Sequence, residues 1–346
     1  MEEATVPDKS QPSPDLPPAG SVVIKLVAVP LLIVTLIVGG AITVVILFGR
    51  ISAEQDRSVS DLLAAVESPH GEKLLDVALM PRDKEIWQAA RELAMRLDKK
   101  EVEVTPAELS DVVQRLSALS DRMLASARDL GKTGVQKFEF VLAALARTDR
   151  PEAIAAIVRC LDCSLWEVRR SAVQALASMH QVEGVRDAAL GPICRLAGED
   201  PEPVVRTVSA YALSFVADPS DAAAIDVLTG ICTGDESDRE VIWNAALSLA
   251  RLGSPAGRSE LRDMLDRTYW SEKVPMRVEQ SPGQFVEAPM SASRVDEHLI
   301  AAIDAVSHLE DEELWSLVRG LERDPSLSVV HKVREVLEKR PSDGGA

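Results

Sequence analysis

With 346 residues and a hydrophobic content of 46%, the chain can bury a sizeable core, and its composition is not that of a disordered protein. Aromatic residues make up only 3%, which favours stacked helices over a β-rich fold. The net charge of −17 argues against nucleic-acid binding, because an acidic surface repels phosphate backbones. This acidity serves solubility or, alternatively, attracts a basic protein partner.

The N-terminal region contains a predicted membrane anchor. Residues 1–20 are rich in proline and acidic residues, which predicts a disordered tail. Residues 26–48 carry no charge, and as a helix they would span about 34 Å, enough to cross the hydrocarbon core of a bilayer. We therefore expect a transmembrane helix over 22–49 that contacts the lipid bilayer through 26–48. A cleavable signal peptide is the competing interpretation, but the apolar run is too long for one.

The orientation of this anchor stays open at the sequence level. Lys9 and Lys25 precede the apolar run, and Arg50 and Arg57 follow it, so the positive-inside rule gives a near tie. Residues 51–68 are predicted to form a juxtamembrane helix that joins the anchor to the rest of the chain. Further on, Thr105-Pro106-Ala107-Glu108 predicts a helix start through a capping box, in which Thr105 caps and Glu108 reaches back.

A helical sequence phrase recurs at a nearly fixed interval in the second half of the chain. The pattern V-R-x-x-A-x-x-A-L starts at Val168, and related copies start at Val205 and Val241, at intervals of 37 and 36 residues. Within each copy, apolar or small residues fall on one stripe of a helix. A period of this length predicts an all-α fold, an α-solenoid of stacked helical hairpins. Weaker copies extend the predicted array to residues 70–340, and 341–346 are predicted to be a disordered tail.

These phrases resemble HEAT repeats, in particular the short HEAT-like repeats of phycobilisome lyases. The resemblance implies that an arginine after the apolar start joins a ladder of polar contacts between neighbouring repeats. Arg169 and Arg206 hold that position in the first two copies, and they are expected to make inter-repeat polar contacts. The later copies have Ile242 and Asp296 there, so the ladder is expected to be short.

The period is interrupted once, after the third copy. Residues Thr268–Ala292 do not have a helical pattern, and two short alternating segments around Ser281-Pro282-Gly283 predict a β-hairpin within 271–289. Insertions in solenoids often emerge on the binding face. Tyr269, Trp270 and Phe285 concentrate aromatic surface here, so they are candidate partner contacts; a surface loop packed on its own repeat is the alternative.

Residue patterns that carry chemistry are absent or incomplete. Cys160 and Cys163 have C-x-x-C spacing without a second pair, so free buried thiols are expected, or a disulfide if the domain is extracytoplasmic. Deoxyhypusine hydroxylase, an enzyme built from HEAT-like repeats, binds two irons through His-Glu pairs, whereas none of the five histidines here precedes a glutamate. No catalytic residue, metal ligand or cofactor is predicted.

The sequence therefore predicts a non-catalytic, single-pass membrane protein that carries a HEAT-like scaffold. Its expected work is to bind a protein partner at the membrane surface. Two alternatives remain: a structural subunit of a larger membrane complex, and, more weakly, a maturation factor of the lyase type.

Overall fold

The computed structural model describes residues 58–68, 88–90, 92–97, 105–281 and 284–340. The chain divides into Met1–Ser58 and Val59–Ala346, and all described helices belong to the second unit. The predicted transmembrane helix at 22–49 and the predicted tails at 1–20 and 341–346 lie outside the described residues. Of the predicted juxtamembrane helix at 51–68, Val59–Glu67 is helical. No helix in the described ranges is long and apolar enough to cross a membrane.

The described chain contains thirteen uninterrupted α-helices. They are α1 Val59–Glu67, α2 Pro106–Ala125, α3 Lys132–Arg147, α4 Pro151–Arg159, α5 Trp166–Ser178, α6 Val185–Glu199, α7 Pro203–Val216, α8 Ala222–Thr233, α9 Arg239–Arg251, α10 Arg258–Met264, α11 Ala292–Val306, α12 Glu312–Gly320 and α13 Leu327–Lys339. A further helical stretch covers residues 88–90 and 92–97.

The helices from α2 onward form two layers. The odd-numbered helices α3 to α13, here called the phrase helices, include every strong copy of the repeated phrase, and each packs against the next. The even-numbered helices α2 to α12, the companion helices, form the second layer, and the phrase helices α3 to α11 each pack against the companion before them. Stacking of this kind, in which each repeat contacts its neighbours, defines an α-solenoid.

Local sequence explains where the helices begin. The predicted capping box at α2 is confirmed: the Thr105 hydroxyl accepts from the Glu108 N–H, and the Thr105 N–H donates to the Glu108 carboxylate at 2.9 Å. Asp238 caps α9 by accepting from the Glu240 and Val241 N–H groups. Asp311 caps α12 in the same manner. Each cap satisfies amide donors that have no partner inside their helix.

The apolar stripe of each phrase forms the core. In α5 the stripe residues Val168, Ala172 and Leu176 are fully buried. The core is divided into two clusters that meet at α9. Val241 and Leu249 face the N-terminal cluster, whereas Trp243, Leu247 and other side chains of the same helix face the C-terminal cluster.

The predicted hairpin is present between α10 and α11. Strand β1, Met276–Ser281, pairs antiparallel with β2, Gln284–Ala288, and the register places Val278 opposite Val286. A π-helical turn, Tyr269–Lys273, precedes the hairpin. The expectation that Thr268–Ala292 is not helical was therefore wrong for Tyr269–Lys273. Tertiary burial of Trp270 holds the backbone in this turn, although the local sequence pattern is not helical.

Candidate protein-binding surface

Arg169 connects α5 to the loop that leads into the next repeat. Its Nε and Nη2 donate to the two carboxylate oxygens of Asp200, at 2.7 and 2.8 Å, and its Nη1 donates to the Cys163 carbonyl at 2.9 Å. Arg169 and Asp200 are both buried, with side chains 11% and 2% exposed. The fork of the guanidinium thus fixes two loops relative to one phrase helix.

Arg206 repeats this arrangement one unit later. It donates to both carboxylate oxygens of Glu236, at 2.7 and 3.0 Å, and to the Asp200 carbonyl at 2.8 Å. The hydrogen bonds from Arg206 lower the pKa of the Glu236 carboxyl, and the carboxylate in turn raises the pKa of Arg206. Both arginines thus bind a carboxylate in the loop that precedes the next phrase helix.

A third ion pair of the same kind uses an arginine from outside the phrase. Arg267 donates to both carboxylate oxygens of Asp324, at 2.8 and 2.6 Å, and to Asp296 at 2.6 Å. Asp296 holds the position that Arg169 has in its own phrase. Asp324 also accepts from the Ser326 N–H, as Asp200 accepts from the Glu202 N–H. In this third pair the acidic residue, Asp324, has the same place before a phrase helix as Asp200. The arginine, Arg267, instead lies before the insertion.

The sequence analysis did not identify the acidic partners of this ladder. Asp200, Glu236 and Asp324 each lie three residues before the first residue of a phrase helix. Each of the three accepts the N–H two residues further on. That spacing is a signal that could have identified them, since acidic side chains in such loops commonly accept a backbone N–H two residues ahead.

An open apolar groove runs across the outer face of the phrase helices α5, α7 and α9. We call it the aromatic groove; its volume is about 410 Å³. Its walls include Gln174, His180, Val208, Tyr211, Phe215 and Asn244. Tyr211 and Phe215 are 40% and 38% exposed, and their rings meet edge to face with centroids 5.1 Å apart. The His180 ring lies 5.7 Å from that of Phe215.

Arg251 of α9 lies beside the aromatic pair of the groove. Its guanidinium lies 5.4 Å from the centre of the Tyr211 ring and 5.9 Å from that of Phe215. Such cation–π contacts hold a cation against the aromatic face. Arg251 also pairs with Asp304 of α11 at 3.4 Å, and Asp304 in turn binds Lys332 of α13 at 2.7 Å.

A second depression adjoins the aromatic groove and lies between α3 and α5. The two share Gln174 and Ser178 as walls, and the second has a volume of about 630 Å³. Phe140 and Arg147 of α3 line it, together with an ion pair between Arg170 and Glu139. The two depressions are therefore neighbours on the surface of the phrase helices.

The sequence analysis missed Tyr211 and Phe215. They lie six and ten residues after Val205, whereas the buried stripe occupies the positions 4, 7, 8 and 11 residues after it. The signal that could have identified this surface is the presence of large aromatic side chains outside the buried stripe, in a chain with only 3% aromatic residues.

The aromatic residues that the sequence predicted as partner contacts have other surroundings. Trp270 is fully buried, donates from Nε1 to the Met264 carbonyl at 2.8 Å and stacks on His298 at 4.1 Å. Its assignment as a surface contact was wrong, because its ring fills the C-terminal core and holds the insertion to the array. Tyr269 is half-buried beside it. The side chain of Phe285 lies outside the described residues, so its predicted role stays a prediction.

The cysteines are free thiols. Cys160, Cys163 and Cys194 are buried, and Cys160 contacts the Ser120 hydroxyl at 3.3 Å. Burial raises the pKa of Cys160 to about 11, which keeps this thiol protonated and unreactive at neutral pH. Within the residues that the structure describes, no group of three or more His, Cys, Asp or Glu side chains could hold a metal ion.

Comparison with known proteins gives the class of the fold. Residues 139–214, from the middle of α3 to the end of α7, match the family model of HEAT repeats. Residues 139–214 are therefore similar to HEAT repeats, and the described part of the chain is an all-α solenoid. Among curated proteins, no significant sequence match is found.

Solved structures that are similar to the chain match it at low sequence identity. A designed armadillo repeat protein, YIII(Dq)4CqI, is 16% identical with a TM-score of 0.36, over 81% of this chain and 99% of that chain. An engineered protein is 16% identical with a TM-score of 0.41, and the match covers 81% of this chain and 73% of that chain. Human deoxyhypusine hydroxylase in complex with glycerol is 13% identical with a TM-score of 0.27, and the match covers 84% of this chain and 97% of that chain. At these TM-scores the similarity carries no argument about function.

Proposed function

We propose that this chain is a protein-interaction scaffold, and that the aromatic groove across α5, α7 and α9 is where its partner binds. The observation that carries the proposal is the exposure of Tyr211 and Phe215 side by side on a regular helical surface. Contiguous exposed apolar surface is rare on soluble monomers and marks interaction sites. Tyrosine is also enriched among the residues that dominate binding energy at interfaces.

The position of the groove within the array supports this proposal. Its walls come from three successive phrase helices, and all but one of them lie within or directly beside the segment that matches HEAT repeats. Stacked repeats create extended surfaces of this kind, on which a partner contacts several units at once. The ladder of Arg169 and Arg206 holds those units in fixed register, so the groove is preformed.

We further propose that the scaffold works at a membrane, to which residues 26–48 anchor it. The support is the uncharged apolar run itself, which is long enough to span a bilayer as a helix. Extraction of membranes with alkaline carbonate tests the anchor. The full chain is expected to stay with the lipid, whereas a chain without 22–49 is expected to be released; release of both would contradict anchoring.

Site-specific photo-crosslinking tests the scaffold function. The photoreactive residue benzoylphenylalanine replaces Tyr211 in the full chain, and in a control it replaces Asp226, which is exposed on the companion helix α8. We expect one discrete crosslinked protein from position 211 and none from position 226. A chain that also carries Phe215→Ala should lose most of that product, because truncating an interface aromatic costs about 2 kcal/mol. Equal labelling from both positions, or none from 211, would refute the proposed function.

A further inference from the structure

The hairpin between α10 and α11 is fixed to the array at its base. Val274, which precedes β1, and Met290, which follows β2, are buried and belong to the C-terminal cluster of the core. Trp270, in the π-helical turn that leads into the hairpin, is fully buried in the same cluster. The hairpin therefore begins and ends at fixed points on the solenoid.

Beyond this base, the two strands of the hairpin have mainly each other as neighbours. β1 and β2 pack together, and neither packs substantially on any of the described helices. In the described part of the chain the sheet consists of these two strands, so each strand has one paired edge and one open edge. Val286 of β2 is 41% exposed. The hairpin is thus an arm with an open edge on each side.

Open edges of this kind bind further strands. The edge of a sheet presents a row of unpaired N–H and C=O groups, which is a template for pairing with another chain. A hairpin of two strands is also only marginally stable in water, and a third strand stabilises it. Because the described residues contain no third strand, the described part of the chain cannot extend this sheet by itself.

The sequence of β1 indicates which strand its open edge accepts. Arg277 and Glu279 have opposite charges and lie on either side of Val278. If two copies of β1 pair antiparallel about a two-fold axis at Val278, Arg277 of each copy lies opposite Glu279 of the other. Opposite charges at directly opposed positions stabilise a strand pair, whereas like charges there destabilise it. The edge of β1 is therefore complementary to itself.

The register of the hairpin extends this complementarity across the sheet. Within each hairpin, Val278 pairs with Val286, and Arg277 pairs with Glu287. Two hairpins joined at β1 give four strands in the order β2, β1, β1, β2. A row of valines at 278 and 286 then crosses the two-fold axis without interruption. On each side of that row, Arg277 lies between Glu287 of its own copy and Glu279 of the other.

The open edge of β2 lacks this complementarity. A two-fold axis at Val286 would place Glu287 of one copy opposite Phe285 of the other, so no pair of opposite charges forms across that axis. The comparison of the two edges therefore favours β1 as the edge that pairs with a second copy.

We propose that the chain binds a second copy of itself through the open edge of β1, as an antiparallel strand pair with its two-fold axis at Val278. This inference goes beyond the scaffold function, because the hairpin is separate from the aromatic groove. One pair of short strands buries less surface than a standard protein interface, so the complex is weak and forms at high local concentration.

Cysteine crosslinking of the concentrated full chain in detergent tests the proposal, because covalent capture accumulates even a weak complex. Val278→Cys places a thiol at the two-fold axis, where directly opposed residues have Cβ atoms about 5 Å apart, close to the separation in a disulfide. Val286→Cys is the matched control, because three strand spacings of about 4.8 Å separate that residue from its copy. Under mild oxidation, we expect the covalent homodimer to form about tenfold faster from Val278→Cys, since only its two thiols can meet. The parent chain, which has free thiols of its own, gives the background rate.

Charge reversal in β1 tests the register of the strand pair. Glu279→Arg, combined with Val278→Cys, brings like charges together at two positions across the axis, and it should slow crosslinking by about tenfold. Asp226→Arg, an equal change of charge at an exposed site on α8, should leave the rate unchanged. A mixture of chains with Glu279→Arg and chains with Arg277→Glu restores both pairs of opposite charges and should recover the crosslink.

Several outcomes would overturn the proposal. Equal rates from Val278→Cys and Val286→Cys, a faster rate from Val286→Cys, or no homodimer above the background of the parent chain would each show that the edge of β1 does not pair with a second copy. Capture of a different protein from position 278 would show that another chain supplies the strand. Photo-crosslinking from position 211 reports on the scaffold function separately, so either proposal can fail while the other stands.

Discussion

The ion pair between Arg169 and Asp200 shows how much can depend on one buried charge. Asp200 is 2% exposed, and its carboxylate also accepts from the Glu202 N–H. A buried ion pair adds little net stability compared with an apolar pair, because both charges must leave water. Removal of one partner, by contrast, strongly destabilises the fold, because it leaves the other charge buried and uncompensated.

Replacement of Arg169 by alanine is therefore expected to be costly. We expect Arg169→Ala to lower the free energy of unfolding by about 3 kcal/mol, as for other broken buried pairs. The matched control is Arg195→Ala, which breaks the pair with Asp162, whose side chains are 50% and 72% exposed. That control should change stability by less than about 1 kcal/mol. Urea denaturation of both variants measures the difference, and equal effects would contradict this account.

Glu236 makes the next ion pair sensitive to acid. Its folded pKa lies below its ordinary value of 4.5, chiefly because of the hydrogen bonds from Arg206. A lowered folded pKa stabilises the fold above pH 4.5, and this contribution disappears as the pH falls through the folded pKa. Glu236→Gln should therefore be less stable than the parent at pH 7, and the difference should shrink steadily below pH 4.5. Thermal unfolding between pH 7 and pH 3 measures it; a constant difference would argue against ion pairing.

At the scale of elements, α9 and the turn after it approach too closely for any side chain. Gly257 lies in a 3-10 turn, Pro255–Gly257, that packs on α9. A Cβ atom at this position would lie 2.7 Å from the Cα of Ala246 and 2.8 Å from its Cβ. The turn would then have to move away from the helix, because the new Cβ would collide with the backbone of α9.

The same substitution at two glycines should accordingly act in opposite directions. Gly257→Ala is expected to destabilise the protein by about 2 kcal/mol through overpacking. Gly230→Ala, inside helix α8 with nothing within 4 Å of the new Cβ, should stabilise it by about 0.5 kcal/mol, because alanine is the better helix former. Thermal unfolding of the two variants compares them directly. A stabilising Gly257→Ala would show that the turn is not tightly packed.

Elements with a strong local pattern could be predicted from the sequence, and those that depend on tertiary partners could not. The phrase starting at Val168 predicts a helix and its buried face, and the capping box at Thr105 predicts where a helix begins. The π-helical turn around Trp270 has no local signature, because it exists to bury one indole ring. The aromatic groove was missed for a related reason: periodicity identifies the buried stripe, whereas Tyr211 and Phe215 lie outside it.

The arginines of the ladder likewise differ in whether they could be predicted from the local sequence. Arg169 and Arg206 could be recognised because they recur in one phrase. Arg267 could not, since it lies 57 residues before its partner Asp324, on the other side of the insertion. Only the folded chain brings those two residues together.

At the scale of the whole described unit, the division of the core is the dominant feature. The two clusters meet at α9, which contributes separate faces to each, and Cys232 of α8 packs against both. In repeat proteins, stability is a sum of units and interfaces, so a weak boundary permits one part to open without the other.

A pair of core substitutions tests this division. Leu299→Ala in α11 removes a fully buried side chain from the C-terminal cluster, and Leu176→Ala in α5 does so in the N-terminal cluster. Each should cost about 3 kcal/mol. Hydrogen exchange measured by mass spectrometry should show lost protection in α10 to α13 for the first variant and in α4 to α7 for the second. Uniform loss across all helices in either variant would mean that the core behaves as one unit.

The shared helix α9 also determines how the array would respond to mechanical load. Under tension, the weakest interface along the line of force separates first, and here that interface runs along one helix instead of being spread through a single core. Pulled from its two ends, the solenoid should lengthen in two discrete steps, one for each block. All walls of the aromatic groove except Asn244 come from α5, α7 and the residues directly after α5, so a partner bound there would stay attached to the N-terminal block while the C-terminal block extends.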